Sequence, residues 1–294
     1  MKAAKFDYVL AESIEQAVAA LAAGNGDAII IAGGQSLMPM LAMRLATPAT
    51  VVDINNIAQL SGIEAIGGEV VIKACTRQAT ALASPLVQMR LPLLAKAISH
   101  VGHQQTRNRG TVGGSLSHAD PASEIPLAAL AMDARVSLRS VAGTREVALA
   151  DFFLGPMMTA RADNEILLKV HFPEEPDGPD GSRMGTAFHE VSERHGDFAV
   201  VAAAAQIQLD ANGRCIKAAL ALGGVNGVPR RIPALEARLR GTRIDPDAVR
   251  AVLPEIADAI TPGDDQHASA AYRRRVAGVL AERALLEAVA EAAP

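Results

Sequence analysis

The sequence has no tryptophan and few aromatic residues of any kind, so its interior depends on aliphatic side chains. Aromatic residues make up 3% of the 294 positions, whereas hydrophobic residues make up 50%. Alanine, leucine, isoleucine, valine and methionine must therefore fill the core. A charged fraction of 20% is typical of a soluble globular protein. A chain of this length is long enough for one large domain or two ordinary ones.

Cysteine is nearly absent, which excludes several kinds of metal centre in this chain. The two cysteines, Cys75 and Cys215, are far apart and belong to no CxxC pair. They are too few for a four-thiolate iron–sulfur cluster, and no zinc-ligand spacing is present. Each lies in an apolar, strand-like segment, which predicts a buried free thiol. A reducing, cytoplasmic location fits this use of cysteine.

The sequence also lacks an excess of basic charge and a long apolar run. A formal net charge of -4 gives no reason to expect a nucleic-acid partner, since such proteins favour a basic face. The first 24 residues are interrupted by Asp7, Glu12, Glu15 and Gln16. We therefore expect neither a signal peptide nor a membrane span.

Several catalytic and nucleotide-binding motifs are missing. The motifs GxGxxG, GxxxxGK[ST] and GxSxG do not occur. Their absence argues against an ordinary Rossmann dinucleotide site, a P-loop nucleotide site and a hydrolase nucleophile. No serine or cysteine has an evident base partner in the sequence. His100, His103 and His118 have spacings of three and fifteen residues without a fixed fourth ligand, so a metal site is disfavoured.

The pattern of apolar residues predicts an α+β protein in two parts. Pro173 to Arg183, rich in proline, glycine and acid, is typical of a linker. Predicted helices cover 13–24, 36–46, 93–101, 124–132, 234–239, 246–260 and 268–290, and predicted strands cover 27–31, 51–54, 70–74, 135–139, 166–172, 186–191, 200–209 and 215–222. The three arginines at 273–275 are expected on a solvated helix face, although they could also meet an acidic partner.

Two glycine pairs follow similar patterns and are candidates for anion binding. The segments are Ala32-Gly33-Gly34-Gln35-Ser36 and Thr111-Val112-Gly113-Gly114-Ser115. Glycine lets a backbone approach a ligand closely, so that consecutive N–H groups can converge on an anion. Either segment alone is more often only a tight turn. Together they favour a diphosphate held from two sides.

The second glycine pair belongs to a polar run from His100 to Glu124. Such a run is either a long solvated loop or part of a site. Asp120 and Glu124 lie beside the proposed phosphate loop, where carboxylates are repelled unless they bind sugar or ribityl hydroxyls. Capping of the following helix accounts for Glu124 equally well, because the helix dipole favours acids in a first turn.

Three segments in order resemble one known family. AGGQSLMPMLAMR with TPATVVDI, RNRGTVGGSLSHADPASE, and FHEVSERHGDFAVVAAA are similar to the medium, flavin-binding subunit of the molybdenum hydroxylases. This family includes carbon monoxide, xanthine and N-heterocycle dehydrogenases. The resemblance implies an α+β fold with a two-lobed FAD-binding domain of the vanillyl-alcohol-oxidase (PCMH) type over 1–175, with lobes of about 1–57 and 58–175. It further implies a linker at 176–183 and a C-terminal α+β domain of the carbon monoxide dehydrogenase flavoprotein type over 184–294.

The resemblance also assigns FAD contacts to this sequence. It assigns no catalytic residue and no metal ligand. The two glycine segments would hold the pyrophosphate, the acids would reach the ribityl part, Leu167 would lie near the flavin ring, and Phe188 to Phe198 would close over it. The residues so assigned are Ala32, Gly33, Gly34, Gln35, Ser36, Leu37, His103, Thr106, Gly110, Thr111, Gly113, Gly114, Ser115, His118, Asp120, Glu124, Leu167 and Phe188. Some relatives have asparagine where Ser115 stands, so that contact is altered. The cysteine-rich insertion of the hydroxybenzoyl-CoA reductase branch is absent, which argues against an extra cluster.

The resemblance implies an oxidoreductase subunit that carries electrons. A large subunit with a molybdenum-pterin would oxidise the substrate, and a small subunit with two [2Fe-2S] clusters would pass electrons to FAD on this chain. A dimer of heterotrimers is the expected assembly. The substrate is set by the large subunit, and NAD, a quinone, oxygen and a cytochrome all stay open as acceptors. Two alternatives also stay open: a stand-alone FAD-dependent oxidoreductase and a non-catalytic nucleotide- or phosphate-binding module.

Overall fold

The N-terminal lobe is a small parallel sheet with two helices. The computed structural model describes residues 2–174 and 181–293. Strands β1 (Asp7–Leu10), β2 (Ala28–Ile31) and β3 (Thr50–Asp53) lie in the order β1-β3-β2. Helix α1 (Ile14–Ala23) is capped by Ser13, whose hydroxyl accepts from the N–H of Gln16, and it buries Ala17, Val18 and Leu21. Helix α2 (Leu37–Ala42) begins directly after the first glycine segment.

The second lobe is an antiparallel sheet covered by short helices. Its strands are β4 (Ile63–Ile66), β5 (Glu69–Lys73), β6 (Arg135–Ser140), β7 (Gly143–Ala148), β8 (Phe153–Gly155), β9 (Met158–Thr159) and β10 (Ile166–Pro173), and five of them form a sheet in the order β4-β5-β10-β6-β7. Its helices are a 3-10 turn (Ala58–Leu60), α3 (Gln78–Ala83), α4 (Pro85–Arg90), α5 (Pro92–His100), α6 (Gln104–Arg109), α7 (Val112–His118), α8 (Glu124–Ala131) and α9 (Leu149–Phe152). Every residue of α8 is buried. This helix therefore forms the centre of the lobe.

The C-terminal part is a four-stranded antiparallel sheet packed against helices. Strands β11 (Arg183–Ser192), β12 (Ala199–Leu209), β13 (Cys215–Gly223) and β14 (Arg230–Arg231) are followed by α10 (Pro233–Leu239), α11 (Pro246–Val252), α12 (Pro254–Ala259) and α13 (Ala270–Ala292). Helix α13 contacts β11 and β12 along its length. Gly185 permits this close approach, because a Cβ there would lie 1.9 Å from the carbonyl oxygen of Ala288.

The structure confirms the α+β class and corrects several predicted elements. The helix predicted over 36–46 ends at Ala42, since Arg44 adopts a positive φ of 60°. The helix predicted over 246–260 is two helices, because Pro254 starts a new one. Strands β1, β4, β7, β8, β9 and β14, helices α3, α4, α6, α7 and α9, and the 3-10 turn were not predicted. Residues 176–180 of the predicted linker lie outside the described residues and β11 begins at Arg183, so the domain boundary stays a prediction.

The structure places two polar side chains in settings that the sequence did not indicate. Arg274 and Arg275 are exposed, as predicted. Arg273, in contrast, is 7% exposed and donates to the carbonyls of Val200 and Gly224 and to Asp265, 2.6 Å away. A serine does have a base partner, since Ser137 Oγ lies 2.8 Å from His171 Nε2. Pairs of this kind join positions far apart in sequence, so spacing does not reveal them. At 1% exposure, Ser137 is closed to any substrate, and the pair is structural.

His171 makes folding stability sensitive to pH. Burial and the neighbouring Arg135 charge lower the pKa of His171, so the imidazole stays neutral to a lower pH in the folded state than in the unfolded chain. The unfolded chain binds a proton near the ordinary histidine pKa of about 6.5. The stabilisation is therefore present above that pH and lost as the pH falls, at up to about 1.4 kcal/mol per pH unit for one proton.

We expect His171→Gln to weaken this dependence. The measurement is the free energy of unfolding in urea at pH 7.5 and 5.5. His195→Gln, which changes an exposed histidine, is the control. An unchanged pH slope in His171→Gln would show that His171 does not supply the effect.

Candidate functional site

The two glycine segments meet across a cleft of about 530 Å³ between the lobes. The first lobe contributes the segment between β2 and α2, and the second contributes the segment that begins α7. The two lobes are in direct contact just before the second segment, because a Cβ on Gly33 would lie 2.4 Å from the carbonyl oxygen of Arg109. The C-terminal part closes one edge with Gly196, Asp197 and Phe198. The volume is within the range of small-molecule and cofactor sites.

The first glycine segment presents an open row of backbone donors. Gly34 has a positive φ of 72°, and this conformation turns the chain between β2 and α2. Among the described residues, no acceptor takes a hydrogen bond from the N–H groups of Gly33, Gly34, Gln35 or Ser36. Unpaired N–H groups in succession form a concavity for an anion. This arrangement suits one phosphate group or more.

The second glycine segment differs from the first, because the N–H donors of its two glycines are already used. The N–H of Gly113 bonds to the carbonyl of Ala74 at 2.9 Å, and the N–H of Gly114 bonds to Thr111 Oγ1 at 3.0 Å. The prediction that N–H groups from both segments converge on an anion therefore fails for the second. Its glycines serve close packing instead, since a Cβ on Gly113 would lie 2.6 Å from that of Ala74. Its contribution to a ligand comes from side chains.

Most of the residues assigned by the sequence line this cleft. They are Ala32, Gly33, Gly34, Gln35, Ser36, Leu37, Thr106, Gly110, Thr111, Gly113, Gly114, Ser115, His118, Glu124 and Leu167. Three assigned residues do not line it. His103 lies against Gly196, Asp120 accepts a bond from the N–H of Ala122 at 2.8 Å, and Phe188 packs on His100 with 5.2 Å between ring centroids.

Sequence reasoning missed several polar residues of the cleft. Gln78 is 5% exposed, and its Oε1 is buried without a hydrogen-bond partner. Arg161 donates to the carbonyls of Ala162 and Glu165, at 2.9 and 2.8 Å, and has no carboxylate partner among the described residues. Asp197 also lines the cleft. A single polar residue outside any motif gives no sequence signal. Phe198, which also lines the cleft, belongs to the segment predicted to close over the ring.

Glu124 is a buried acid at the cleft wall. It is the first residue of α8 and is 4% exposed. Burial raises its pKa to about 7, and the nearby charge of Glu190 adds to the effect. The structure thus places Glu124 both in the first helical turn and on the cleft, so the two roles that the sequence left open are compatible.

The cysteines and the histidines of the polar run give no redox or metal centre. Burial raises the pKa of the Cys75 thiol to about 12 and that of Cys215 to about 11. Both are therefore protonated, buried free thiols, as predicted. No group of three or more metal-ligating side chains is placed to hold a metal within residues 2–174 and 181–293. Within the same ranges, no helix is both long and apolar enough to cross a membrane.

Comparison with known proteins identifies the family. Residues 4–175 match the family described as the FAD binding domain in molybdopterin dehydrogenase, and residues 186–288 match the carbon monoxide dehydrogenase flavoprotein C-terminal domain. The chain belongs to the first of these families, whose match covers more than half of its length. The predicted resemblance, the fold type and the assignment as an FAD-binding oxidoreductase subunit are thereby confirmed.

Relatives match over almost their whole length. The chain is 37% identical to the 6-hydroxypseudooxynicotine dehydrogenase complex subunit alpha of Paenarthrobacter nicotinovorans, covering 100% of this chain and 98% of the relative. It is 34% identical to the carbon monoxide dehydrogenase medium chain of Hydrogenophaga pseudoflava, covering 98% and 99%. The solved structure of that carbon monoxide dehydrogenase superposes with a TM-score of 0.95 at 35% identity, covering both chains fully. Quinoline 2-oxidoreductase of Pseudomonas putida 86 gives 0.92 at 34% identity, covering 99% of each chain.

Proposed function

We propose that the cleft holds FAD and that this chain passes electrons from an iron–sulfur subunit to an external acceptor. The observation that carries the proposal is the row of unpaired N–H groups from Gly33 to Ser36. It opens into the cleft of a domain whose family binds FAD. A diphosphate supplies the acceptors that these donors lack.

The remaining cleft residues fit the other parts of FAD. Glu124 and His118 would face the ribityl chain, where a buried carboxyl and an imidazole can bond to hydroxyls. Gln78 Oε1, buried and unpartnered, would accept from a hydroxyl or N–H of the cofactor. Leu167 and Phe198 would cover the ring system, and the 61% exposure of Phe198 leaves its face available. The cleft thus offers backbone donors as well as apolar contacts.

Bound FAD accepts and releases electrons singly or in pairs, while the protein binds and orients it. The substrate would be oxidised on a large molybdenum-pterin subunit, and two [2Fe-2S] clusters on a small subunit would connect it to this chain. The two protonated, buried cysteines support this division, because they supply no cluster ligand. Relatives named as medium chains and complex subunits favour a multi-subunit assembly. We propose a cytoplasmic dimer of heterotrimers.

Titration of the full chain with FAD, followed by flavin fluorescence and the visible spectrum, tests the assignment. We expect saturable binding in the wild type and roughly 100-fold weaker binding in Gly34→Asp. The substitution strains a residue with positive φ and puts a carboxylate beside the diphosphate, and two lost charge-assisted bonds of about 1.5–3 kcal/mol each suffice for that factor. Gly114→Asp should also weaken binding, because its Cβ would lie 2.6 Å from Thr111 Oγ1.

Gly213→Asp is the matched control for Gly34→Asp. Gly213 has a similar φ of 76° in a hairpin turn with open space around it. Aspartate there introduces the same backbone strain and the same negative charge, but away from the cleft. A folded wild type that binds another nucleotide and not FAD would favour the phosphate-binding module. Turnover of a small substrate by the chain without partner subunits would favour the stand-alone oxidoreductase.

A further inference from the structure

Three titratable side chains from different elements interact electrostatically beside the cleft. His100 ends α5, Glu124 begins α8, and Glu190 projects from β11 of the C-terminal part. His100 Nδ1 lies 3.2 Å from Glu190 Oε1, and the Phe188 ring covers the imidazole. The Glu190 side chain is 4% exposed, whereas that of His100 is 33% exposed. We name these three side chains the acid–imidazole cluster.

The acid–imidazole cluster has more carboxyl groups than positive partners. Glu190 Oε2 is buried without a hydrogen-bond partner, and no side chain among the described residues bonds to the Glu124 carboxyl. Burying an unpaired charge is costly, so the Glu124 carboxyl retains its proton to a higher pH than an exposed acid does. The Glu190 carboxylate raises the pKa of His100, and burial raises that of Glu124. Coupled groups of this kind share protons as one unit.

The charged groups around the cluster do not neutralise it. Asp120, in the turn before α8, adds a further negative charge. Lys96, one turn earlier on α5, is engaged by Glu291 and the carbonyl of Thr186, both at 2.6 Å. His189, next to Glu190 on β11, pairs with Glu287 of α13 at 2.8 Å.

The remaining neighbours are a histidine of the cleft and an uncharged face. His118 of α7 lines the cleft itself. Strands β12 and β13 contribute Ala202, Ala204 and Ala221 to the core that contains α8. The proton content of the cluster therefore depends on its own three members and on charge within the cleft.

We propose that the acid–imidazole cluster takes up one proton when the cofactor in the cleft is reduced and releases it on reoxidation. This rests on the proposed function, since the cleft must hold flavin. A flavin ring that gains two electrons and only one proton carries one negative charge. A second proton, drawn from solvent through the partly exposed His100, enters the cluster and balances that charge. The cluster as a unit holds this proton, and none of its side chains is oxidised or reduced.

The test measures protons and potential, independently of turnover. The full chain loaded with FAD is photoreduced near pH 7 in weak buffer with a pH-indicating dye, and its midpoint potential is recorded from pH 6 to 8. Each proton taken up per two electrons changes the potential by about 30 mV per pH unit, since a tenfold change in a two-electron equilibrium is 29.6 mV. We expect the midpoint potential to change by about 60 mV per pH unit in the wild type and by an amount closer to 30 mV per pH unit in Glu190→Gln. The proton uptake on reduction should fall by up to one proton per flavin in that variant.

Glu287→Gln is the control, because it breaks a second imidazole–carboxylate pair, with His189, away from the cleft lining. It should retain the wild-type slope and uptake, and His100→Gln should behave like Glu190→Gln. A wild-type slope of 30 mV per pH unit or less would overturn the proposal without reference to any variant. Equal slopes and uptake in wild type and Glu190→Gln, with FAD bound in both, would also overturn it. Absence of FAD from the folded wild type would instead overturn the proposed function.

Discussion

Gly33→Val should abolish FAD binding, with an affinity loss on the order of 1000-fold or more. A Cβ at position 33 would lie 2.4 Å from the carbonyl oxygen of Arg109 and 2.8 Å from the Cα of Gly110. Both are backbone atoms, so the two lobes must move apart for any side chain to fit. The displaced segment would carry its N–H donors away from the diphosphate. Loss of about 4 kcal/mol of binding free energy corresponds to that factor.

Equilibrium titration with FAD measures this effect, and circular dichroism shows whether the variant is folded. Gly263→Val is the matched control, because position 263 has open space around it and no positive φ. It should bind FAD as the wild type does. Tight FAD binding by Gly33→Val would mean that the contact between the lobes does not position the site.

Gly185→Ala should destabilise the fold by about 3 kcal/mol or more. The added methyl group would lie 1.9 Å from the carbonyl oxygen of Ala288 and 2.6 Å from the N atom of Ala292. Helix α13 would have to move off β11, and overpacking of a well-packed interior costs about 1–3 kcal/mol, with more where backbone must shift. The midpoint of urea or thermal unfolding should fall accordingly.

Gly278→Ala tests the same substitution on the partner helix. Position 278 lies within α13 with open space around it, so alanine there should stabilise the chain by about 0.5–1 kcal/mol through its higher helix propensity. Opposite signs for the two variants would locate the effect in the contact between β11 and α13. A Gly185→Ala variant as stable as the wild type would contradict the tight packing described here.

The sequence predicted the elements whose apolar pattern decides their structure. Strand β12 was predicted despite four consecutive alanines, because the Asn212-Gly213 turn and the return strand β13 favour a hairpin. The α1 cap and the buried face of that helix were also read from local residues. Helix α7 was not predicted, because two glycines lower its helix propensity. Bonds to distant residues, such as those from the N–H groups of Val112 and Gly113 to the carbonyls of Thr76 and Ala74, help to hold it in place.

The candidate site was predictable where it follows a local motif and not where it depends on distant pairing. The glycine segments carry their own signal, and the structure brings both into one cleft. The ion-pair contact between His100 and Glu190 joins residues 90 positions apart, and Gln78 and Arg161 stand in sequence contexts without a motif. The occupied N–H groups of the second segment depend on Ala74 and Thr111, which no spacing rule connects to a phosphate site.

The donors from Gly33 to Ser36 belong to the main chain, and this has a consequence for how the site tolerates sequence change. Any residue other than proline supplies the same N–H, so Gln35 can be replaced without removing a donor. The glycines are not equally replaceable, since Gly33 meets backbone and Gly34 has a positive φ. Over evolutionary time, recognition at this end of the cleft should therefore constrain the path of the chain more strongly than the identity of its side chains.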